Sequence, residues 1–232
     1  IAPTIGVPGT AADTMLTRYR LRIQDLKQPP NMVVEYTETR SGPTRVVTEN
    51  HRLYRDDAGH ERNETTAING LPVTRPKVSI YSRPVWAYGA DRFFVDSDLY
   101  QIASRGTVVF GGHKAYSYAV VLKEAGAFAV TDLELDAREA LPLREQFVAT
   151  SSMCSATGII DFGRAGAYWM PKIVSVTCPV LASPDAAVIT PAATSYRDTI
   201  RFSSYAFPAA IPAQMFGLPP TPAPGSTSPP PP

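Results

Sequence analysis

The residues in this chain best suited to proton transfer or to holding a metal are its three histidines, His51, His60 and His113. His51 and His60 flank a turn that also holds Asp56, Asp57 and Glu61. Imidazoles and carboxylates in one turn can be imagined round a cation. The spacing matches no zinc signature, however, and turns gather such residues for solvation and backbone hydrogen bonds, so no metal is expected. Asp96 and Asp98 lie two apart in VDSDLY, and Asp132, Glu134 and Asp136 alternate in TDLELD. Paired carboxylates can hydrolyse glycosides, but alternation at period two is better explained as the wet face of a strand. The chain contains no nucleophile elbow, no HExxH and no phosphate loop, and Gly111-Gly112 before His113 is an ordinary turn. The expectation is a protein that is not an enzyme, with no catalytic residues and no cofactor; a secreted hydrolase is the least favoured alternative.

Two cysteines remain, Cys154 and Cys178. The segment between them looks like a hairpin with its turn centred on Gly166. Paired residue numbers in an antiparallel hairpin have a constant sum. That centre sets Phe162 opposite Met170, Gly158 opposite Val174, Ala156 opposite Val176 and Cys154 opposite Cys178. The even-numbered face, with Ile160, Phe162, Met170, Val174 and Val176, is the more apolar one. A cross-strand disulfide is therefore predicted, closing a loop of about 25 residues and contributing roughly 3 kcal/mol on the chain-entropy model. It implies an oxidising compartment. Two buried free thiols acting as small hydrophobes are the alternative, and a one-residue bulge would break the register.

The elements that position these groups are punctuated by proline. The chain has 232 residues, enough for one sizeable domain. Of its 23 prolines, eight fall after Phe216 in GLPPTPAPGSTSPPPP. Residues 217–232 are accordingly expected to be a disordered Pro-rich tail, and residues 1–9 a flexible arm. Pro43 and Pro72 suit turns, Pro208 and Pro212 close the last strand, and Pro142 and Pro171 should each fall on an edge, at a strand end or at a bulge. The net charge of +1 leaves no footprint for nucleic acid. No stretch of about 18 uncharged apolar residues exists to span a membrane. The chain begins with Ile1, which suggests a removed secretion signal or a trimmed end.

Met15, Tyr19, Ile23 and Leu26 recur at helical spacing, which predicts one helix over about 10–28, capped by Thr10 or Asp13 and stopped by Pro29-Pro30. After Pro30 the period changes to two. MVVEYTET, TRVVTENHRLYR, ERNETTAI, KVSIYSR, AYSYAVVLKE, FAVTDLELD, LPLREQFVAT, two strands round GRAGA, and DTIRFSSYAFP make about ten strands. Residues 84–106 lack the alternation and read as a short helix or long loop, rich in aromatics. The fold class predicted is α+β, mainly β: a curved antiparallel sheet, a half-barrel of about ten strands, wrapped round the N-terminal helix. Eleven tyrosines, nine phenylalanines and two tryptophans serve core packing first. A sheet curled round one helix can also leave an apolar cavity suited to an acyl chain. Strand parity puts Val34, Tyr36, Tyr54, Ile80, Tyr118, Val120, Leu122 and Ile160 on its concave wall, with Trp86, Phe93 and Phe94 in a covering segment.

The order of elements resembles the LolA/LolB superfamily of periplasmic lipoprotein carriers, whose relatives include periplasmic sigma-regulator sensors and lipid-binding lipoproteins. LELDAREALPLREQF looks like the family's strand, Asp-containing turn and x-Pro-x-Arg strand. GIIDFGRAGAYWMPKIVSV followed by DTIRFSSYAFPAAIP looks like its final meander. The likeness spans residues 10–216. It implies a half-open barrel with an apolar concave face covered by helices, in a LolA-like lipid-binding domain over 10–216. The arginine that gates the carriers' cavity has no single counterpart here. The function implied is non-enzymatic binding or carriage of a lipid or acylated ligand, such as an acylated protein, in the periplasm or cell envelope, or outside the cell. A sensor or protein-interaction module of the same fold is the alternative.

Overall fold

The apolar stripe near the N-terminus forms the helix α1, Ala11–Gln24, which buries Met15, Tyr19 and Ile23. It ends before the proline pair, and Leu26 continues the stripe as a partly buried neighbour of the same core. Asp13 lies in the first turn, where its charge suits the helix dipole. The structure, a computed structural model, describes residues 11–81, 88–151, 154–179 and 195–217. The arm at 1–9, Trp86 and the tail beyond Gly217 lie outside the described residues.

Eleven strands follow α1: β1 Met32–Ser41, β2 Val46–Arg55, β3 Glu61–Ile68, β4 Leu71–Tyr81, β5 Tyr100–Phe110, β6 His113–Leu122, β7 Phe128–Asp136, β8 Pro142–Thr150, β9 Ser155–Ala165, β10 Tyr168–Pro179 and β11 Ser195–Ala206. That is one more than the sequence predicted, and the extra one is β5, in the segment read as irregular. Most of β5 is exposed, with Tyr100 its buried residue, so neither face leaves an apolar trace at period two. β4 starts at Leu71 rather than Lys77. Asn69 (φ 50) and Gly70 (φ 79) form a two-residue turn from β3 directly into it, the left-handed pair that suits a tight hairpin.

All pairings are antiparallel, in the order β4-β3-β2-β1-β11-β10-β9-β8-β7-β6-β5. β4 and β5 adjoin in the chain yet form opposite edges, so the curved sheet stays open. β11 inserts between β1 and β10 and joins the two halves. One row crosses the inner face in register from β6 to β3: Tyr118, Leu133, Glu145, Ile160, Val174, Ile200, Glu38, Glu49 and Ile68. Its first members pack with Met15, Tyr19 and Ile23 of α1 in the main core. Met32, Val34, Leu53 and Met170 make a second, smaller cluster.

The hairpin of β9 and β10 corrects the predicted register. Phe162 faces Pro171 because the turn centres between Gly166 and Ala167 rather than on Gly166, and Gly158 faces Val176 because a bulge between Pro171 and Ile173 adds one more to the sum. The disulfide Cys154–Cys178 forms nonetheless, with Cα atoms 5.9 Å apart. It ties the residue before β9 to the end of β10 rather than bridging a directly opposed pair. Pro171 sits at the bulge and Pro142 opens β8, both positions where no ladder hydrogen bond is lost.

Candidate functional site

Most of the residues that strand parity assigns to the wall share the inner face of the sheet. Tyr118, Val120 and Ile160 are buried in the core beneath α1, Leu122 is partly buried against it, and Val34 is buried in the smaller cluster with Met32, Leu53 and Met170. Tyr118 donates its hydroxyl hydrogen to the Ala12 carbonyl of α1 at 3.0 Å. Phe93 forms an aromatic cluster with Phe128 and Phe147, and Phe94 lies 5.5 Å from Tyr19. These side chains pack under α1, where a small cavity of ≈ 180 Å³ remains beside Leu16, Tyr19, Val95 and Ile102.

Tyr54 and Ile80 are corrections. Tyr54 faces Val33 and Arg62, and Arg62 faces Ile80. They therefore occupy the face opposite Val34, and Ile80 is 49% exposed. The turns set this phase: each hairpin fixes which member of an alternating pair points inward, and both members of Leu53-Tyr54 are apolar enough to fit.

The open space lies elsewhere, at the end of the sheet formed by the β1–β2 hairpin. A cavity of ≈ 830 Å³ is lined there by Arg40, the loop at 41–45, Val47, Glu49, Ile68, Asn69, Val176, Cys178, Tyr196 and Asp198. One wall is apolar, from Val47, Ile68, Val176 and the Tyr196 ring. The other is charged.

That charged wall is a cluster absent from the sequence reading. Glu38 and Glu49 stand directly opposite each other on β1 and β2, and Tyr36 stands opposite His51. His51 stacks on Tyr36, ring centroids 4.7 Å apart at 15°. Its Nδ1 lies 3.4 Å from Thr65 Oγ1, while the Asn63 amide donates to the Tyr36 hydroxyl. The ring is 7% exposed. Its Nε2 faces the carboxylates of Glu38 at 3.4 Å and Glu49 at 3.7 Å, ion-pair distances without an aligned hydrogen bond. Arg40 reaches Glu38 through Nε at 3.0 Å and Glu49 through its terminal nitrogen. The His51 ring and then Arg40 hold the Glu38 carboxyl below its ordinary value, outweighing burial. Asp198 is pushed up to about 6, by burial first and then by Glu38 beside it. Burial, and after it the charges of Asp198 and Glu38, push the Tyr88 hydroxyl up, which places Tyr88 of the covering segment near the cluster. The sign in the sequence was Glu49-x-His51 at strand spacing opposite Glu38, once the turn at 42–45 sets the hairpin sum.

The other candidate residues disperse. His60 Nδ1 binds Asp56 Oδ2 at 2.8 Å within its own turn, and His113 lies 3.3 Å from Asp136. Asp132 pairs with Arg105, while Asp136 accepts the backbone N–H groups of Arg138 and Glu139. Asp136 is therefore a buried turn residue rather than part of a wet face. Asp96 pairs with Arg20 of α1. Glu145 stands out at the centre of the inner row. It is fully buried, neither carboxyl oxygen has a hydrogen-bond partner among the described residues, and burial pushes its carboxyl well above the usual range.

No family model and no curated protein matches the chain. Among solved structures, it is similar to a domain of an outer membrane lipoprotein-sorting protein from Vibrio parahaemolyticus, at 12% identity and a TM-score of 0.46, over 88% of this chain and 97% of that one. A DUF1329 family protein from Desulfovibrio piger is similar at 11% identity and 0.46, over 90% and 98%. A LolA superfamily protein from Nitrosomonas europaea is similar at 10% identity and 0.40, over 90% and 98%. Among the described residues, no helix is long and apolar enough to cross a membrane.

Proposed function

We propose that the protein binds an amphipathic ligand, a lipid or an acylated molecule, without chemically altering it, in the cavity at the β1–β2 end of the sheet. One observation carries the reading: ≈ 830 Å³ of space with an aliphatic and aromatic wall facing a charged one. Small-molecule sites commonly enclose about 300–1,000 Å³ with this mixture of linings. Each methylene laid on Val47, Ile68 and Val176 would gain about 0.8 kcal/mol, while Arg40 and the carboxylates face a polar head. The disulfide supports an exported protein, since such bonds persist in oxidising compartments such as the periplasm.

Native mass spectrometry after gentle purification, followed by displacement of a fluorescent fatty acid, tests the proposal. Val176→Asp should abolish uptake and Leu122→Asp should spare it, provided circular dichroism shows both folded. The opposite pattern would place the acyl chain beneath α1, among Tyr118, Val120, Leu122 and Phe93. No uptake by the folded wild type would sink both.

A second reading, an envelope sensor or interaction module, draws on the two open edges. β4 exposes Leu71 and Ile80, and β5 exposes Val108 and Val109. Unpaired edges can accept a strand from a partner. Pro72 and Pro76 in β4 and the bulge after Ser104 in β5 work against that pairing, so ligand binding is the stronger reading.

A further inference from the structure

We propose that Glu38, Glu49 and His51 form a binding site for a divalent transition-metal ion of the Zn²⁺ type, at the charged wall of the cavity. This goes beyond the ligand reading and stands without it.

The three side chains offer ligand atoms that all lie within 4.8 Å of one another. Ligands held at roughly 2.0–2.1 Å in a tetrahedron stand about 3.3 Å apart. The 3.4 Å between His51 Nε2 and Glu38 already meets that spacing, and the 3.7 Å to Glu49 is close to it. Small rotamer changes in two glutamates complete the contraction.

The histidine points independently to a ligand. It is 7% exposed, and among the described residues its buried Nε2 has no aligned hydrogen bond, only the two carboxylates at ion-pair distance, an incompletely satisfied polar atom. Thr65 at Nδ1 and the Tyr36 ring hold the imidazole with Nε2 turned toward the carboxylates. Metal-binding histidines are commonly fixed in this way through their other nitrogen.

The charge balance agrees. Two glutamates directly opposite on neighbouring strands repel each other, and Asp198 adds a third carboxyl beside them. Against these stands Arg40, whose side chain is 55% exposed. A dication entering through the cavity would displace that exposed guanidinium into solvent. Asp198 Oδ1, buried without a hydrogen-bond partner among the described residues, lies outside that trio of ligand atoms and adds negative charge beside it. One imidazole among carboxylates, with no thiolate, suits Zn²⁺ and its neighbours better than Ca²⁺, which takes six to eight oxygens.

Chelator-stripped full-length protein titrated with Zn²⁺ alone by calorimetry, near neutral pH, is the test, with metal content after gel filtration as a second measure. The expected result is one ion per chain, a raised melting temperature, and much weaker binding of Ca²⁺. Glu49→Gln and His51→Gln should each weaken Zn²⁺ binding by more than about tenfold, and His60→Gln should leave it unchanged. Should His51→Gln fail to fold, Glu49→Gln, at a side chain that is only partly buried, decides. The proposal is overturned by absence of stoichiometric binding, by equal affinity in folded Glu49→Gln, or by loss of binding in His60→Gln.

Discussion

Phe147 and Gly158 stand directly opposite each other on β8 and β9, and the phenyl ring fills the space a side chain at 158 would need. A Cβ built there overlaps the ring outright. The same ring meets Phe93 and Phe128 at centroid distances of 5.6 and 5.3 Å, so it has nowhere to retreat. Gly158→Val should therefore destabilise the fold by about 3 kcal/mol, the upper range for overpacking. Urea denaturation of Gly158→Val, Phe147→Leu and the double variant measures it. The double variant should be more stable than the sum of the single losses predicts, by about 1 kcal/mol or more. Simple additivity would mean that the ring does not set the cost.

Glu145 occupies the middle of the inner row without a partner, and burial holds its proton on to higher pH than in the unfolded chain. Between the unfolded and folded pKa values the folded state binds more protons, so stability falls as pH rises through that window. Glu145→Gln removes this dependence. It should be more stable than the wild type by about 1–3 kcal/mol at about pH 8, with a smaller gain at about pH 4. Denaturant midpoints at the two pH values check the sign; a wild type whose advantage over the variant grows with pH contradicts it.

The disulfide between Cys154 and Cys178 closes a loop with a sequence separation of 24. Reduction and alkylation should lower stability by about 3 kcal/mol. Intact mass should show no alkylation without reductant and two additions with it. Free reaction of both thiols in the native, unreduced protein rules the bond out.

Arg144 and Asp161 pair across β8 and β9 through two hydrogen bonds of 2.6 and 2.9 Å, with the guanidinium 4.4 Å from the Phe110 ring centroid. The fork on a carboxylate is geometrically demanding, so Arg144→Lys should not substitute for it. Asp161→Ala and Arg144→Lys should each cost about 1 kcal/mol. A double-mutant cycle by thermal melting should show their coupling, and zero coupling would mean the pair is decorative.

Much of this protein was legible because much of it is local. Met15, Tyr19 and Ile23 mark a helix by spacing alone, and β-branched alternation between turn clusters marks ten strands. Asn69-Gly70 announces a hairpin, and Pro171 announces a bulge without saying by how much it shifts the register. What escaped had no local trace. β5 is an edge strand exposed along most of its length, so no core imprints a period on it. Tyr54 and Ile80 carry apolar side chains on the face away from α1 because hairpin phase outranks residue type. The candidate metal site joins Glu38 to Glu49 and His51 across one hairpin, and the Asp198 carboxyl beside it comes from a strand about 150 residues away in sequence. By itself the sequence determined the elements, the mainly β class and the pair of cysteines, since these follow from short-range periodicity and turn chemistry. Only the tertiary structure decided that β11 enters between β1 and β10, that the wall beneath α1 is largely packed, and that a cavity of ≈ 830 Å³ lies beside an acidic cluster. Those outcomes depend on which distant strands pair, and on a one-residue shift at a bulge, which no local pattern encodes.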